Sequence, residues 1–141
     1  MSDKTKPLHG VRVMVVDDNA DQCEILTILL QDNGAVVVTG QSVAEALAVF
    51  ARERPDVVLA DIALPDDDGF GLLRRLRAQS RAGGPIAAIA LTGYPRDSYG
   101  PADWNEFQAH LMKPVDIADL LATIARVLRP GPSDPGAGID S

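Results

Sequence analysis

The stretch VRVMVVDDN (Val11–Asn19) decides the fold. It is apolar at every position up to Val16 except Arg12, is dominated by β-branched valine, and stops abruptly in Asp17, Asp18 and Asn19. A strand buried on both faces reads this way, because helices packed on either side of a parallel sheet remove the polar alternation that a half-exposed strand shows. Four further runs share the character: Ala35–Thr39, Val57–Ala60, Ile86–Leu91 and the shorter Ala109–Met112. Each is separated from the last by enough residues for a helix. Strands alternating with helical stretches predict right-handed βαβ crossovers, hence an α/β fold with a five-stranded parallel sheet covered on both sides.

The intervening segments carry helix signals. Ser42 followed by Glu45 forms a capping box, and Val43, Ala46, Leu47 and Phe50 follow at helical spacing, with an end expected near Pro55. Ile117, Leu120, Leu121, Ile124, Val127 and Leu128 keep an i, i+3, i+4 rhythm after the cap residue Asp116 and stop before Pro130. Between Leu91 and Ala109 the chain reads TGYPRDSYGPADWNEFQ, where Pro95, Gly100 and Pro101 oppose a regular helix, so an irregular or shortened fourth helix is expected. The domain organisation follows as a polar lead (1–9), one domain (10–129) and a flexible tail (130–141) rich in Gly, Pro, Ser and Asp.

Length and composition bound the function. A chain of 141 residues, 46% hydrophobic, can bury one good core. Its net charge of -7 repels nucleic-acid phosphate and anionic lipid, so neither is an expected partner. Arg74, Arg75, Arg77 and Arg81 cluster near Asp66, Asp67 and Asp68 and read as a solvated helix face. The single cysteine, Cys23, suits a reducing compartment, the lead lacks a signal peptide's apolar stretch, and no apolar run is long enough to cross a bilayer. A cytoplasmic location is expected.

The chemistry stands at strand ends. In an open parallel sheet, ligands bind outside the carboxyl ends of the strands, where the winding reverses. Asp17 and Asp18 close the first strand and Asp61 closes the third. If those strands are neighbours, three carboxylates converge, an arrangement that makes physical sense around a hard divalent cation such as magnesium. A carboxylate can also act as nucleophile and form an aspartyl phosphate. Asp61, alone at its strand end, is favoured for that role over the Asp17–Asp18 pair, without the chemistry deciding it. Thr92 after the fourth strand and Lys113 after the fifth suit the equatorial oxygens of a phosphoryl group. Taken singly, an acidic pair is more often a turn or cap, and Thr92 and Lys113 are ordinary turn and surface residues. Their joint placement at four strand ends favours the functional reading.

The blocks VMVVDDNAD, DIALPDDDGFGLLRRLR, IALTGY and HLMKPVD resemble the four motifs of the response-regulator receiver family, in the right order. The resemblance covers about Val11 to Arg129. It implies a flavodoxin-like, three-layer, doubly wound sheet of order 2-1-3-4-5. It implies magnesium at Asp17, Asp18, Asp61 and the backbone carbonyl of Ala63, with Asp61 as phosphoacceptor and Thr92 and Lys113 as phosphate contacts. A histidine kinase or histidine phosphotransfer protein would be the donor, with acetyl phosphate able to substitute. The domain would catalyse its own aspartyl phosphorylation and dephosphorylation rather than act as a conventional enzyme. Thr92 and an aromatic three residues before Lys113 would switch the fourth-helix and fifth-strand surface toward a downstream protein or a second copy. Here that switch position is His110, and Glu106 stands where the family has Gly. Two other readings compete with it: a phosphorylation-independent adaptor on the same fold, which retention of every site residue argues against, and a flavin carrier, whose phosphate three carboxylates would repel.

Overall fold

The expected alternation is realised in chain order in the computed structural model, which describes residues 6–64, 68–79, 86–93 and 106–128. The elements are β1 (Arg12–Val16), α1 (Ala20–Asp32), β2 (Val36–Gly40), α2 (Val43–Glu53), β3 (Val57–Asp61), α3 (Gly69–Gln79), β4 (Ala87–Thr92), β5 (Ala109–Met112) and α4 (Ile117–Leu128). All strand pairs are parallel, in the order β2-β1-β3-β4-β5. The chain therefore steps outward from β1 to β2 and returns to β3 on the other side, which puts the switch point between β1 and β3.

The period-2 alternation divides the strands' side chains between two cores. Met14, Val16, Val58, Ala60, Ala88 and Ala90 face α2 and α3, meeting Val43, Ala46 and Phe50 of the first and Phe70, Leu73 and Leu76 of the second. Val13, Val15, Val57, Leu59, Ile89 and Leu91 face α1 and α4, meeting Leu26 and Leu30 of the first and Leu120 and Ile124 of the second. Each of the larger of these side chains, the Val, Leu, Ile, Met and Phe residues, contributes about 1.5–3 kcal/mol by leaving water, so the two cores fix the three-layer arrangement.

The caps behave as read. Ser42 Oγ accepts the Glu45 N–H at 3.1 Å, and Glu45 Oε1 reaches back to accept the Gln41 N–H at 2.6 Å. Asp116 Oδ1 accepts from Ala118 N at 2.8 Å and Asp119 N at 3.2 Å. Asn19, a cap not read from the sequence, caps α1 by accepting the Gln22 N–H at 3.0 Å. Before Pro55, α2 closes at Arg54, which takes the left-handed conformation with φ 50°.

Three local readings change. The second strand lies one residue later than the valine pattern suggested, and β3 and β4 run on to include Asp61 and Thr92, so these side chains are held by the sheet itself. The lead's described part packs onto the domain: Leu8 is buried in the α1/α4 core, its N–H donates to Asn33 O at 2.8 Å, and Lys6 Nζ donates to Asp32 O at 2.6 Å. Arg77 is not a solvated residue like the exposed Arg74 and Arg75. Its Nε donates to Glu106 Oε1 at 3.2 Å, Nη1 to Ile86 O at 3.3 Å, and Nη2 to Glu106 O, tying α3 to the segment that enters β5. Residues 94–105, the main part of the segment expected to form an irregular fourth helix, together with Asp66, Asp67, Arg81 and the tail, lie outside the described residues.

Candidate functional site

The switch point gathers the acidic residues. Asp17, next after β1, and Asp61, last in β3, sit at the carboxyl ends of paired strands, since Val16 lies opposite Ala60 in the register. Asp17, Asp18 and Asp61 each place a carboxylate oxygen within 4.8 Å of the others. Asp17 is buried and Asp18 exposed, so the cluster has one deep and one solvent-facing wall.

Backbone and side-chain donors hold these carboxylates in place. Asp17 Oδ1 accepts the Asn19 N–H at 2.9 Å, and Asp61 Oδ1 accepts the Ala63 N–H at 3.1 Å. The other oxygens converge on one ammonium: Lys113 Nζ donates to Asp17 Oδ2 at 2.9 Å and to Asp61 Oδ2 at 3.1 Å. Lys113 arrives there because it follows β5 and its N–H donates to Thr92 O at 2.8 Å; its bond to Pro114 is cis. Thr92, buried at the end of β4, stands at the neighbouring strand end, opposite Met112.

The charges perturb one another in a definite direction. Burial pushes the Asp61 carboxyl up from its ordinary range, against the Ala63 N–H and Lys113, which lower it. For Lys113, burial works to lower the ammonium's pKa, but the hydrogen bonds to Asp17 and Asp61 outweigh it and the net direction is upward. Lys113 is thus charged throughout the working range, while Asp61 has a proton affinity above that of a solvated aspartate. The donor set suits a hard divalent cation, being made of oxygen ligands with negative charge in excess of the single ammonium.

Asp17, Asp18, Asp61 and Lys113 are therefore brought together, with Thr92 at the adjacent strand end. Ala63 is linked through its N–H to Asp61 and by a bridge to Asp68. His110, half-buried and opposite Ala90, lies two residues before the end of β5, on the sheet face away from Ala109. One supporting position was not read from the sequence. A Cβ at Gly69 would lie 2.8 Å from Asp61 O and 3.1 Å from Ile62 Cα, so only glycine lets the start of α3 press against the strand end that carries Asp61. A glycine opening a helix, where it costs stability, was the available signal.

The family model described as response regulator receiver domain matches residues 13–125. The chain belongs to that family. It is 36% identical over 128 residues to an uncharacterized 14.6 kDa protein of Leptolyngbya boryana, covering 90% of this chain and 97% of that protein. It is 32% identical over 120 residues to Protein PilH of Pseudomonas aeruginosa, covering 83% and 97%. Among solved structures, the BeF3-activated N-terminal receiver domain of Klebsiella pneumoniae RstA superposes with a TM-score of 0.74 at 29% identity, over 84% of this chain and 98% of that one. As a receiver domain, the protein has the strand order and layers that its motifs implied. Among the described residues, no helix is long and apolar enough to cross a membrane.

Proposed function

We propose that this receiver domain accepts a phosphoryl group on Asp61, in a magnesium-dependent reaction, from a histidine kinase or a histidine phosphotransfer protein. The observation that carries the reading is the ammonium of Lys113 shared between Asp17 and Asp61, beside a third carboxylate, at the sheet's switch point. That cluster holds opposite charges in the balance that phosphoryl transfer needs. Carboxylates collect a divalent cation, and one fixed ammonium remains to meet the incoming oxygens.

In the proposed step an Asp61 carboxylate oxygen attacks phosphorus, and the bond from phosphorus to the donor breaks. The electron pair of that bond leaves with the donor, as neutral imidazole from a phosphohistidine whose other ring nitrogen carries a proton, or as acetate from acetyl phosphate. The Ala63 N–H and Lys113 hold the carboxylate ready, and burial keeps it less solvated than a surface aspartate, which favours attack. Lys113 then pairs with a phosphoryl oxygen, and the Thr92 hydroxyl donates to another. Asp17, Asp18, Asp61 and the carbonyl of Ala63 would hold Mg2+, which would neutralise charge on the phosphoryl oxygens. Hydrolysis of the aspartyl phosphate by water resets the domain. The RstA receiver domain is named in a BeF3-activated form, and BeF3 resembles a phosphoryl group, which supports the same occupancy here.

Output follows from the position of Thr92 and His110 on β4 and β5. Drawing the threonine hydroxyl toward the phosphoryl group shifts the population of β5 surface conformations, with His110 in the switch role, and a downstream protein reads that surface. Work beside such kinases places the protein in the cytoplasm, where the free thiol of Cys23 stays reduced. The test is intact mass after incubation with acetyl phosphate, with and without Mg2+, for the wild type and Asp61→Asn. One phosphoryl group gained only with Mg2+ and only with Asp61 supports the proposal. No gain, with acetyl phosphate or with a panel of phosphorylated histidine kinases, overturns it.

A further inference from the structure

Among the described residues, strand β2 is an edge, bonded only to β1. Val36 N–H donates to Val11 O at 2.9 Å and Gly40 O accepts from Asp17 N at 3.1 Å, so residues 36, 38 and 40 turn their backbone groups toward β1. By strand alternation, Val37 and Thr39 turn their N–H and C=O groups outward, away from the sheet. Edge strands are ordinarily guarded by a lysine, a proline, a bulge or a covering segment. The β2 sequence, VVVTG, contains no charge and no proline, and its pairing with β1 runs without a bulge.

The surface beside this edge is shaped, and its lining mixes polar with apolar side chains. Val37 and Thr39 form one wall of a groove of 440 Å³ whose other wall is α1, with Cys23, Glu24, Thr27 and Ile28. Of the large apolar side chains markedly exposed among the described residues, Ile28 lines this groove, and Val36 lies on the opposite face of β2. A strand added to β2 would bond to the outward groups of Val37 and Thr39, send every second side chain into the groove beside Glu24, and turn the alternate ones onto the face where Val36 is exposed. Main-chain bonds supply affinity in such an arrangement and the groove supplies selectivity.

Charge decides what that strand is. Helix α1 carries Asp21, Glu24 and Asp32 and no basic residue, and Glu24 lines the groove. A second copy pairing β2 with β2 would bring two acidic helices together and offer no cation to either. The chain's own 130–141 segment, PGPSDPGAGIDS, contains three prolines and two aspartates and no basic residue, so it suits neither the pairing nor the charge. We infer that the β2 edge and the α1–β2 groove dock an extended segment of a partner protein in which apolar and basic residues alternate.

The probe is a capped peptide of about eight residues alternating lysine and valine, compared with a peptide of the same composition in which the lysines and valines are segregated into two blocks. The alternating peptide is expected to slow hydrogen exchange at the Val37 and Thr39 amides and to bind at least about tenfold more tightly than the blocked one. Glu24→Lys, on the exposed face of α1, should weaken binding about tenfold with the fold intact by circular dichroism. Thr39→Pro removes an outward N–H and should abolish protection at Val37. Equal binding of the two peptides, or binding that leaves the Val37 and Thr39 amides unchanged, overturns the inference. So does a peptide-free dimer in which those amides are already protected, because the occupant is then a second copy.

Discussion

Replacing Lys113 with glutamine takes one ammonium away from two carboxylates that the sheet keeps out of water. The Asp17 side chain is 1% exposed and 2.9 Å from Nζ, and the Asp61 side chain is 12% exposed and 3.1 Å away. Hydrogen bonds to charged groups contribute about 1.5–3 kcal/mol each, and breaking a buried pair by removing one partner costs about 3–5 kcal/mol. Glutamine still donates one bond, and the Lys113 side chain is 24% exposed, so water reaches the gap. The expected loss is about 2–3 kcal/mol, a fall of about 1 M or more in the urea midpoint at constant m. The pH dependence has a definite sign. Asp61's carboxyl is already raised by burial, and losing Lys113 raises it further. A carboxylate with a raised folded-state pKa destabilises the fold when ionised, so the penalty is full above that pKa and fades as pH falls toward the unfolded value. In an Asp61→Asn background the cost of Lys113→Gln should shrink by about 1 kcal/mol, which a double-mutant cycle in urea reads directly. Unchanged stability near neutral pH, or an undiminished loss at acidic pH, would refute the reasoning.

Gly69→Ala places a methyl 2.8 Å from Asp61 O, which neither backbone can yield to without moving. The variant should lose about 1–2 kcal/mol despite alanine's better helix propensity and take up phosphoryl groups more slowly, as urea titration and intact mass will show. Ser42→Ala removes the cap on α2 and should cost about 1 kcal/mol while leaving the rate of phosphoryl uptake unchanged. That rate should rise with pH through Asp61's upshifted titration, and Lys113, also shifted upward, should keep it from falling until strongly alkaline pH. Uptake from acetyl phosphate followed across the pH range checks both limbs.

The fold was legible because valine runs with abrupt acidic ends have one cheap solution, a strand buried between helices. Strand order was not, since spacing gives the number of strands and not their neighbours; only the resemblance implied it. Boundaries slipped where Gly40 and Asp61, of weak strand preference, continue the ladder, and where Thr92, a good strand former, is polar and so breaks the apolar run. Leu8 escaped notice because an isolated apolar residue in a polar stretch has no period. Arg77 was misread because a run of arginines says nothing about a partner such as Glu106, far along the chain. The site was legible at its charged members, each standing at a strand end. Its packing was not, since Gly69 matters through what its missing side chain leaves room for.

The central claim is that Asp61 carries the phosphoryl group, and the most direct measurement traps it there. Borohydride reduces an acyl phosphate to an alcohol, turning a phosphorylated aspartate into homoserine that tandem mass spectrometry can place. After treatment with acetyl phosphate and Mg2+, homoserine at position 61 alone is the predicted result. Homoserine at position 17, 18 or 68 instead would contradict the account.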